Sequence, residues 1–205
     1  MSTSVIEIVK FPANELMNGK PEIYQGVLRT LSEQGGLKNV WYPGPETGTL
    51  EDPKLYYVFI EWSTYEDHES FLNSPQYQPF EAGLVSLLGG ELTMCHVPLN
   101  PAATNAFKGP VVSYRIVNLN PGLDRQKVAE TIDAGVVNTV RTFDKCTGVA
   151  WGFTREDDNK VAIVTSWESK EAHLEEYQKV APEFQTLIQD SECFHMNIKH
   201  YNAHK

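Results

Sequence analysis

The chain repeats one short pattern of ring-bearing and acidic residues in its two halves. The segments WSTYEDHESF and WESKEAHLEEY share the signature W-x3-E-x-H, which pairs Trp62 with Trp167 and His68 with His173 at a shift of 105 residues. Self-similarity at a fixed shift indicates internal duplication, and a shift of about half the chain indicates two copies of one folding unit. The same order of strands and helices is therefore expected in both halves.

Each half carries that common order of patterns. Apolar runs typical of strands open the halves at residues 5–11 and 111–119, and apolar residues at helical spacing follow them. A longer strand pattern then ends at the repeated tryptophan, a helix with Ser or Thr at its start comes next, and a last apolar strand completes the half. The order β-α-β-β-α-β predicts an α+β chain of two fused ferredoxin-like repeats, residues 1–103 and residues 104–205.

The strand pattern KLYYVFIEW is apolar on both faces. Tyr56 and Val58 share one face, and Tyr57 and Phe59 share the other. A sheet with one face in water would alternate apolar and polar residues, so we expect this sheet to be covered on both sides. The helices of the same repeat would supply one cover and the sheet of the other repeat the second, as in an intramolecular α/β-barrel. Such a chain is expected to be a monomer or, through its edge strands, a homodimer.

Composition and charge argue against several classes of function. The net charge of the 205 residues is −10, whereas binding to nucleic acid or an anionic membrane needs clustered Lys and Arg. No apolar run reaches the ~18 residues of a membrane helix, and the first residues lack the layout of a secretion signal, so we expect a cytoplasmic protein. The three cysteines, Cys95, Cys146 and Cys193, share no close spacing, which predicts reduced, buried thiols and neither disulfides nor a zinc site.

The segment FIEWSTYEDHESFLNSPQYQPF, residues 59–80, combines a strand that ends in Trp, a capped helix and an S-P-x-aromatic stretch. With its counterpart in the second half, it resembles a tandem, fused version of the dimeric α/β-barrel superfamily, in the branch of the antibiotic-biosynthesis-monooxygenase-like (ABM) proteins. The resemblance spans nearly the whole chain and implies the barrel fold. It also implies a range of functions: cofactor-free quinol and polyketide oxygenases, cyclases, haem-handling proteins and proteins without known activity.

The repeated Trp and His form the candidate catalytic site. The resemblance implies an aromatic ring at the Trp position and a polar, ring-bearing side chain six residues later, which matches Trp62 with His68 and Trp167 with His173. An imidazole with a pKa near ~6.5 is a better proton acceptor at neutral pH than a phenol, and the phenolate or quinol anion it produces can react with oxygen without metal or flavin. We therefore predict His68 and His173 as bases of a cofactor-independent monooxygenase that acts on an aromatic or polyketide-type small molecule, with no cofactor and no metal.

Aromatic side chains around the two histidines are the predicted substrate-binding residues. Helical spacing sets Tyr65 beside His68 and Tyr177 beside His173, and the other rings lie on predicted strands. The predicted set comprises Trp62, Trp167, Trp41, Trp151, Tyr57, Tyr65 and Tyr177. The same rings are also typical of the core of a doubly covered sheet, which stays the alternative.

Other functions remain open from the sequence. The resemblance implies an amide side chain four residues before the Trp, where the chain has Val58 and Ile163, so a developing oxyanion would lack an expected hydrogen bond. His68 and His173 would then be core residues bonded to backbone carbonyls. The protein would be a non-catalytic hydrophobic-ligand-binding or stress-related barrel protein, or a polyketide cyclase or isomerase of the same fold.

The remaining titratable residues on the strands are given structural roles. Glu7, Glu61 and Arg115 lie among buried neighbours and are expected to pair as an internal ion pair. His195 and His200 lie five residues apart on a strand, so they face opposite sides and no shared metal is predicted.

Overall fold

The computed structural model describes residues 4–44, 47–180 and 182–202. The contacts within the chain form two compact units: unit 1 comprises Met1–His96 with Asn197–Lys205, and unit 2 comprises Val97–Met196. The last strand runs through this boundary, so its first residues belong to unit 2 and its last residues to unit 1. The division of the sequence into two repeats, residues 1–103 and residues 104–205, stays a prediction.

Unit 1 has the predicted order of strands and helices. Its elements are β1 (Val5–Pro12), α1 (Leu16–Gly19), α2 (Pro21–Ser32), β2 (Leu37–Pro43), β3 (Leu55–Trp62), α3 (Tyr65–Leu72), α4 (Tyr77–Ser86) and β4 (Thr93–Val97). The strands lie in the order β4-β1-β3-β2, and the end of the last strand of the chain pairs with β2. β3 is antiparallel to β1, with Trp62 opposite Val5.

Unit 2 repeats this order. Its elements are β5 (Val111–Leu119), α5 (Arg125–Ile132), α6 (Asn138–Val140), β6 (Cys146–Phe153), β7 (Lys160–Trp167), α7 (Lys170–Tyr177), α8 (Pro182–Gln185) and β8 (Ile188–Asn202). A 3-10 turn precedes β5, and a π-helical turn joins α5 to α6. The strands lie in the order β8-β5-β7-β6, with Trp167 opposite Val111. The predicted α+β fold of two ferredoxin-like repeats is confirmed.

Local sequence signals set the helix ends in both units. Pro21 is the first residue of α2, where its fixed φ suits a helix start. Gly36 follows that helix with a φ of 81°, a conformation that glycine adopts without strain. The hydroxyls of Thr64 and Ser169 accept hydrogen bonds from backbone N–H groups in the first turns of α3 and α7. These caps fix where each helix begins after its tryptophan.

Both faces of β3 are buried, as predicted. Tyr56 and Val58 lie on the face that packs against the helices of unit 1, and Tyr57 and Phe59 lie on the opposite face; none of the four is more than 6% exposed. The helical side of the core includes Tyr24, Leu28, Leu31, Phe71 and Phe80. Burying a side chain of this size contributes roughly 1.5–3 kcal/mol, which holds the helices over the sheet.

Two expectations about polar residues are wrong. The three thiols are half-buried rather than buried. Two of them, Cys95 and Cys146, lie on the outermost strands β4 and β6. The three charged strand residues do not pair with one another as expected; their hydrogen bonds are with Trp62 for Glu7, Asn39 for Glu61 and Ser191 for Arg115. In the pairing of β1 with β3, Glu7 is paired with Ile60, whereas Glu61 is paired with Ile6. The two carboxyl groups therefore face opposite sides of the sheet. No described helix is both long and apolar enough to cross a membrane.

Candidate functional site

A chain of buried polar side chains runs through unit 1. The indole N–H of Trp62 donates to Glu7 Oε2 over 2.8 Å, and the same oxygen lies 3.5 Å from His68 Nε2. The other ring nitrogen of His68, Nδ1, lies 2.9 Å from His96 Nε2. All four side chains are buried. His68 therefore connects a carboxyl group to a second imidazole among buried side chains.

The elements of unit 1 bring these groups together in a simple way. Glu7 lies opposite Ile60 in the pairing of β1 with β3, so it shares the helix side of the sheet with Trp62. The cap at Thr64 starts α3 immediately after β3, and His68 follows in the first turn. Its ring centroid lies 5.3 Å from that of Trp62. His68 thus packs beside Trp62, the residue with which the repeated signature groups it.

Burial changes the protonation of the two central groups. Burial raises the pKa of Glu7 to about 7, although the hydrogen bond from Trp62 acts in the opposite direction. Burial lowers the pKa of His68 to about 4, with a smaller contribution from His96. Between about pH 4 and about pH 7, Glu7 is protonated and His68 is a neutral imidazole, so the pair carries no net charge. Above about pH 7 Glu7 ionises and the pair becomes an anion.

A cavity of about 240 Å³ lies against this pair. Glu7 and His68 form part of its wall, and most of the remaining lining is apolar and comes from the sheet and from α2 and α4. Tyr24 also lines the cavity; its hydroxyl is buried and has no hydrogen-bond partner among the described residues. The rim includes the exposed side chains of Val85 and Met94, so the cavity has a route to the surface.

Unit 2 keeps the histidine pair but not the carboxyl group. His173 Nδ1 lies 2.7 Å from His195 Nε2, and the ring of His173 packs 4.9 Å from that of Trp167. The strand register places Ser113 where unit 1 has Glu7, and Trp167 donates instead to the hydroxyl of Thr165.

The cavity beside His173 is also much smaller, at about 30 Å³. That volume is room for about one water molecule. Arg115 and Tyr177 line it at the positions that Val9 and Leu72 occupy in unit 1. These larger side chains fill the space that unit 1 leaves open.

The predicted substrate-binding rings lie in different environments. Trp62 and Trp167 are almost fully buried beside their histidines. Tyr65 packs its edge against His96, with ring centroids 4.9 Å apart. Tyr177 lies under the guanidinium of Arg115 at 4.3 Å and lines the small cavity of unit 2.

Five of the predicted rings line neither of these cavities: Trp62, Tyr65, Tyr57, Trp41 and Trp151. Tyr57 lies on the face of β3 away from the helices of unit 1. Trp41 stacks on His200, with ring centroids 5.4 Å apart, and Trp151 donates its indole N–H to Asp133. Trp41 lies opposite Phe59 and Trp151 opposite Ile163, so the two tryptophans do not occupy equivalent positions in the repeats.

Sequence reasoning missed three residues of these networks: Glu7, His96 and His195. The sequence contains a signal for the two histidines, because the last strand of each repeat carries a short segment that ends in histidine. This segment is TMCH in the first repeat and ECFH in the second. A repeat comparison extended to the last strand would have paired them. The alternative in which backbone carbonyls satisfy His68 also differs from the structure, because the described partners of its ring nitrogens are Glu7 and His96.

Two sets of side chains bring possible metal-ligand atoms within 4.8 Å of one another. In unit 1 the set is Glu7, His68 and His96. There Glu7 and His96 contact opposite nitrogens of His68, an arrangement that suits proton transfer along a chain better than three bonds to one ion. In unit 2 the set is His173, Cys193 and His195.

Comparisons with known proteins find similar folds among solved structures. No protein-family model matches the chain, and no curated protein sequence matches it. Among solved structures, it is similar to a candidate monooxygenase from Fusobacterium nucleatum (13% identity, TM-score 0.72, covering 98% of this chain and 95% of that one). A candidate monooxygenase from Lactobacillus acidophilus (9% identity, TM-score 0.68, 98% and 97% covered) and an anthrone oxidase-like protein (13% identity, TM-score 0.66, 100% and 95% covered) are also similar.

The chain shares the fold of these structures. The similarity extends over both units and confirms the tandem α+β fold that the sequence resemblance implies. Identities of 9–13% concern the fold alone, because one fold supports many chemistries.

Proposed function

We propose that unit 1 binds an aromatic or polyketide-type small molecule with an acidic C–H or O–H bond and catalyses its reaction with dioxygen without a cofactor. The observation that carries this proposal is the buried Glu7–His68 pair, which forms part of the wall of an apolar cavity. Buried titratable groups with shifted pKa values in a cleft are typical of acid–base sites. The monooxygenase-like fold supports the same direction.

The cavity limits the size of the substrate. Its volume of about 240 Å³ exceeds the ~150 Å³ of an apolar cavity that holds benzene and is below the ~300–1,000 Å³ of drug-sized sites. We therefore expect a substrate of two or three fused rings rather than a long polyketide. The apolar lining favours a flat hydrocarbon skeleton with few polar substituents.

Glu7 is the group we propose as the base. With a pKa of about 7 it is partly ionised at neutral pH, and its ionised form is a stronger base than an ordinary carboxylate. His68, with a pKa of about 4, is a weak proton acceptor alone, but a neutral imidazole between Glu7 and His96 can accept a proton at one nitrogen and release one at the other. The sequence prediction of His68 as the base thus becomes a proposal for a two-residue unit.

The hydroxyl of Tyr24 is proposed as the donor to the developing oxyanion. Burial raises its pKa well above the ordinary value, so the phenol stays protonated and able to donate. A buried donor without a partner is costly, and a substrate oxygen would satisfy it. The resemblance implies an amide side chain as the donor at the position of Val58, and this hydroxyl would supply that hydrogen bond instead.

The reaction balances with dioxygen as the only oxidant. An anthrone-type CH2 group loses a proton to Glu7, and the carbanion reduces oxygen and combines with it to form a peroxide anion. This anion takes the proton back from Glu7 and becomes a hydroperoxide, which restores the carboxylate. Loss of water, with cleavage of the O–O bond and of the second C–H bond, leaves a carbonyl group. One oxygen atom enters the product and the other leaves as water, so no external reductant is needed. The name of one structural neighbour, an anthrone oxidase-like protein, points to this substrate class.

Oxygen uptake with anthrones, quinols and small phenols tests the proposal, with tryptophan fluorescence recorded in the same samples. Removing a positioned acid–base group slows proton transfer by about 10²–10⁴-fold, so Glu7→Gln and His68→Gln are expected to lose uptake by that factor while still binding. Glu61→Gln, a buried carboxyl on the opposite sheet face, and His200→Gln are the matched controls. Uptake retained in Glu7→Gln, or lost only in His173→Gln, would place the reaction elsewhere.

A non-catalytic binding protein is the second candidate, favoured by Val58 at the position where the resemblance implies an amide. It predicts quenching of tryptophan fluorescence with neither oxygen uptake nor product. A cyclase or isomerase using the same base would form product without oxygen uptake. The same assay separates the three outcomes.

A further inference from the structure

We propose that His173, Cys193 and His195 of unit 2 form a binding site for a thiophilic metal ion of the Zn²⁺ class. The ligand atoms of the three side chains lie within 4.8 Å of one another. His173 lies in the first turns of α7, while Cys193 and His195 are two residues apart on β8 and so point to the same side of the strand. Both histidines are buried and the cysteine is half-buried.

The chemistry of the set suits this ion. Two neutral imidazoles and one thiolate are borderline and soft ligands, and three protein ligands leave the fourth position of a tetrahedral ion open. A site with an open position is typical of zinc that binds or activates a small molecule rather than zinc that only stabilises a fold.

The distance between the histidines is compatible with a shared ion after a small shift. His173 Nδ1 and His195 Nε2 are 2.7 Å apart in hydrogen-bond contact. Two nitrogens bonded at ~2.0–2.1 Å to one tetrahedral zinc ion lie roughly 3.3 Å apart. The two nitrogens must separate by roughly 0.6 Å and both rings must turn so that their lone pairs face the ion, which replaces the mutual hydrogen bond by two metal bonds.

Ser113 supports the cysteine from outside the ligand set. Its hydroxyl lies 3.3 Å from Cys193 Sγ and can donate to the thiolate that metal binding requires. Groups that orient a ligand in this way typically contribute ~10–100-fold to metal affinity.

Unit 1 differs at the two positions that define the site. Counting back two residues from the last-strand histidine gives Cys193 in unit 2 and Met94 in unit 1. The register places Ser113 where unit 1 has Glu7. The thiol and its hydroxyl partner therefore occur together only in unit 2, so the two histidine pairs are expected to serve different purposes.

The test is a titration of the purified full-length chain with Zn²⁺ against a chromophoric chelator, repeated with Co²⁺. We expect one saturable ion per chain, release of the thiol proton on binding, and a thiolate-to-cobalt charge-transfer band with the absorption of a tetrahedral site. Cys193→Ser should weaken binding by at least about 100-fold and abolish the charge-transfer band, whereas Ser113→Ala should weaken binding by ~10–100-fold. Cys146→Ser is the matched control for loss of a half-buried thiol.

Three results would overturn the proposal: no saturable binding, equal affinity in Cys193→Ser, or loss of binding in His96→Gln with retention in Cys193→Ser. The last result would locate the metal in unit 1. Far-ultraviolet circular dichroism of each variant without metal separates loss of a ligand from loss of the fold.

Discussion

Replacing Glu7 by glutamine is expected to stabilise the protein by an amount that grows with pH. The carboxyl group is buried, and its pKa rises from 4.5 in the unfolded chain to about 7 in the folded one. A carboxyl group with a raised pKa favours the folded state while it is protonated. That contribution is fully present below about pH 4.5 and is lost as the pH rises through about 7.

The size of the effect follows from the shift. At ~1.36 kcal/mol per pKa unit, the change from 4.5 to about 7 corresponds to about 3 kcal/mol. Glutamine has nearly the same shape, can still accept the Trp62 hydrogen bond through its amide oxygen, and never ionises. The unfolding free energy of Glu7→Gln relative to wild type should therefore rise by about 3 kcal/mol between about pH 4.5 and about pH 8.

Urea unfolding at several pH values measures this difference. The lowered pKa of His68 makes its contribution present above about pH 6.5 and lost as the pH falls toward 4; because His68 contacts Glu7, this slope is measured separately by comparing His68→Gln with the Glu7→Gln/His68→Gln double variant. Glu66→Gln, which removes an exposed acidic group from α3, is the control for loss of charge. Parallel profiles for wild type and Glu7→Gln would refute the argument that burial holds Glu7 protonated.

Three further predictions concern unit 1. Trp62→Phe removes the N–H donor that stabilises the ionised carboxylate, so the pKa of Glu7 should rise further above its ordinary value; carboxyl-region infrared titration of this variant against wild type measures the shift. Leu84→Phe places a larger side chain in the wall of the cavity and should weaken binding of a fused-ring ligand by tenfold or more, as measured by quenching of tryptophan fluorescence. The free energy of unfolding without ligand should stay within ~1–3 kcal/mol of wild type. Thr64→Ala removes the cap of α3 and should cost about 1 kcal/mol in urea unfolding, with Ser169→Ala as the equivalent change in unit 2; an effect near zero in both would contradict the capping role.

Local patterns predicted most of the fold. The strand that ends at Trp62, the cap at Thr64 and the helix carrying His68 follow one another in sequence, and short-range propensities determine each of them. The repeated W-x3-E-x-H signature predicted the same elements in unit 2. The contact of His68 with Trp62 was predictable for the same reason, because only a few residues separate them.

The partners of the histidines were harder to predict because they come from distant strands. Glu7 reaches His68 through the register of β1 against β3, and the sequence alone gave no residue-by-residue pairing. The assignment of Glu7 to an ion pair failed for this reason. The raised pKa of its carboxyl group depends on complete burial, which is a property of the packed unit. The difference in cavity size likewise depends on how large side chains such as Tyr177 fill the space beneath the helices.

The dependence of oxygen uptake on pH tests the central proposal most directly. With an anthrone or quinol substrate, the account predicts that kcat/KM rises with pH and levels off above an apparent pKa near 7, following ionisation of Glu7, and that Glu7→Gln abolishes this dependence together with most of the rate. Uptake that is independent of pH between about pH 5.5 and about pH 8.5, or a Glu7→Gln variant with the wild-type profile, would contradict it.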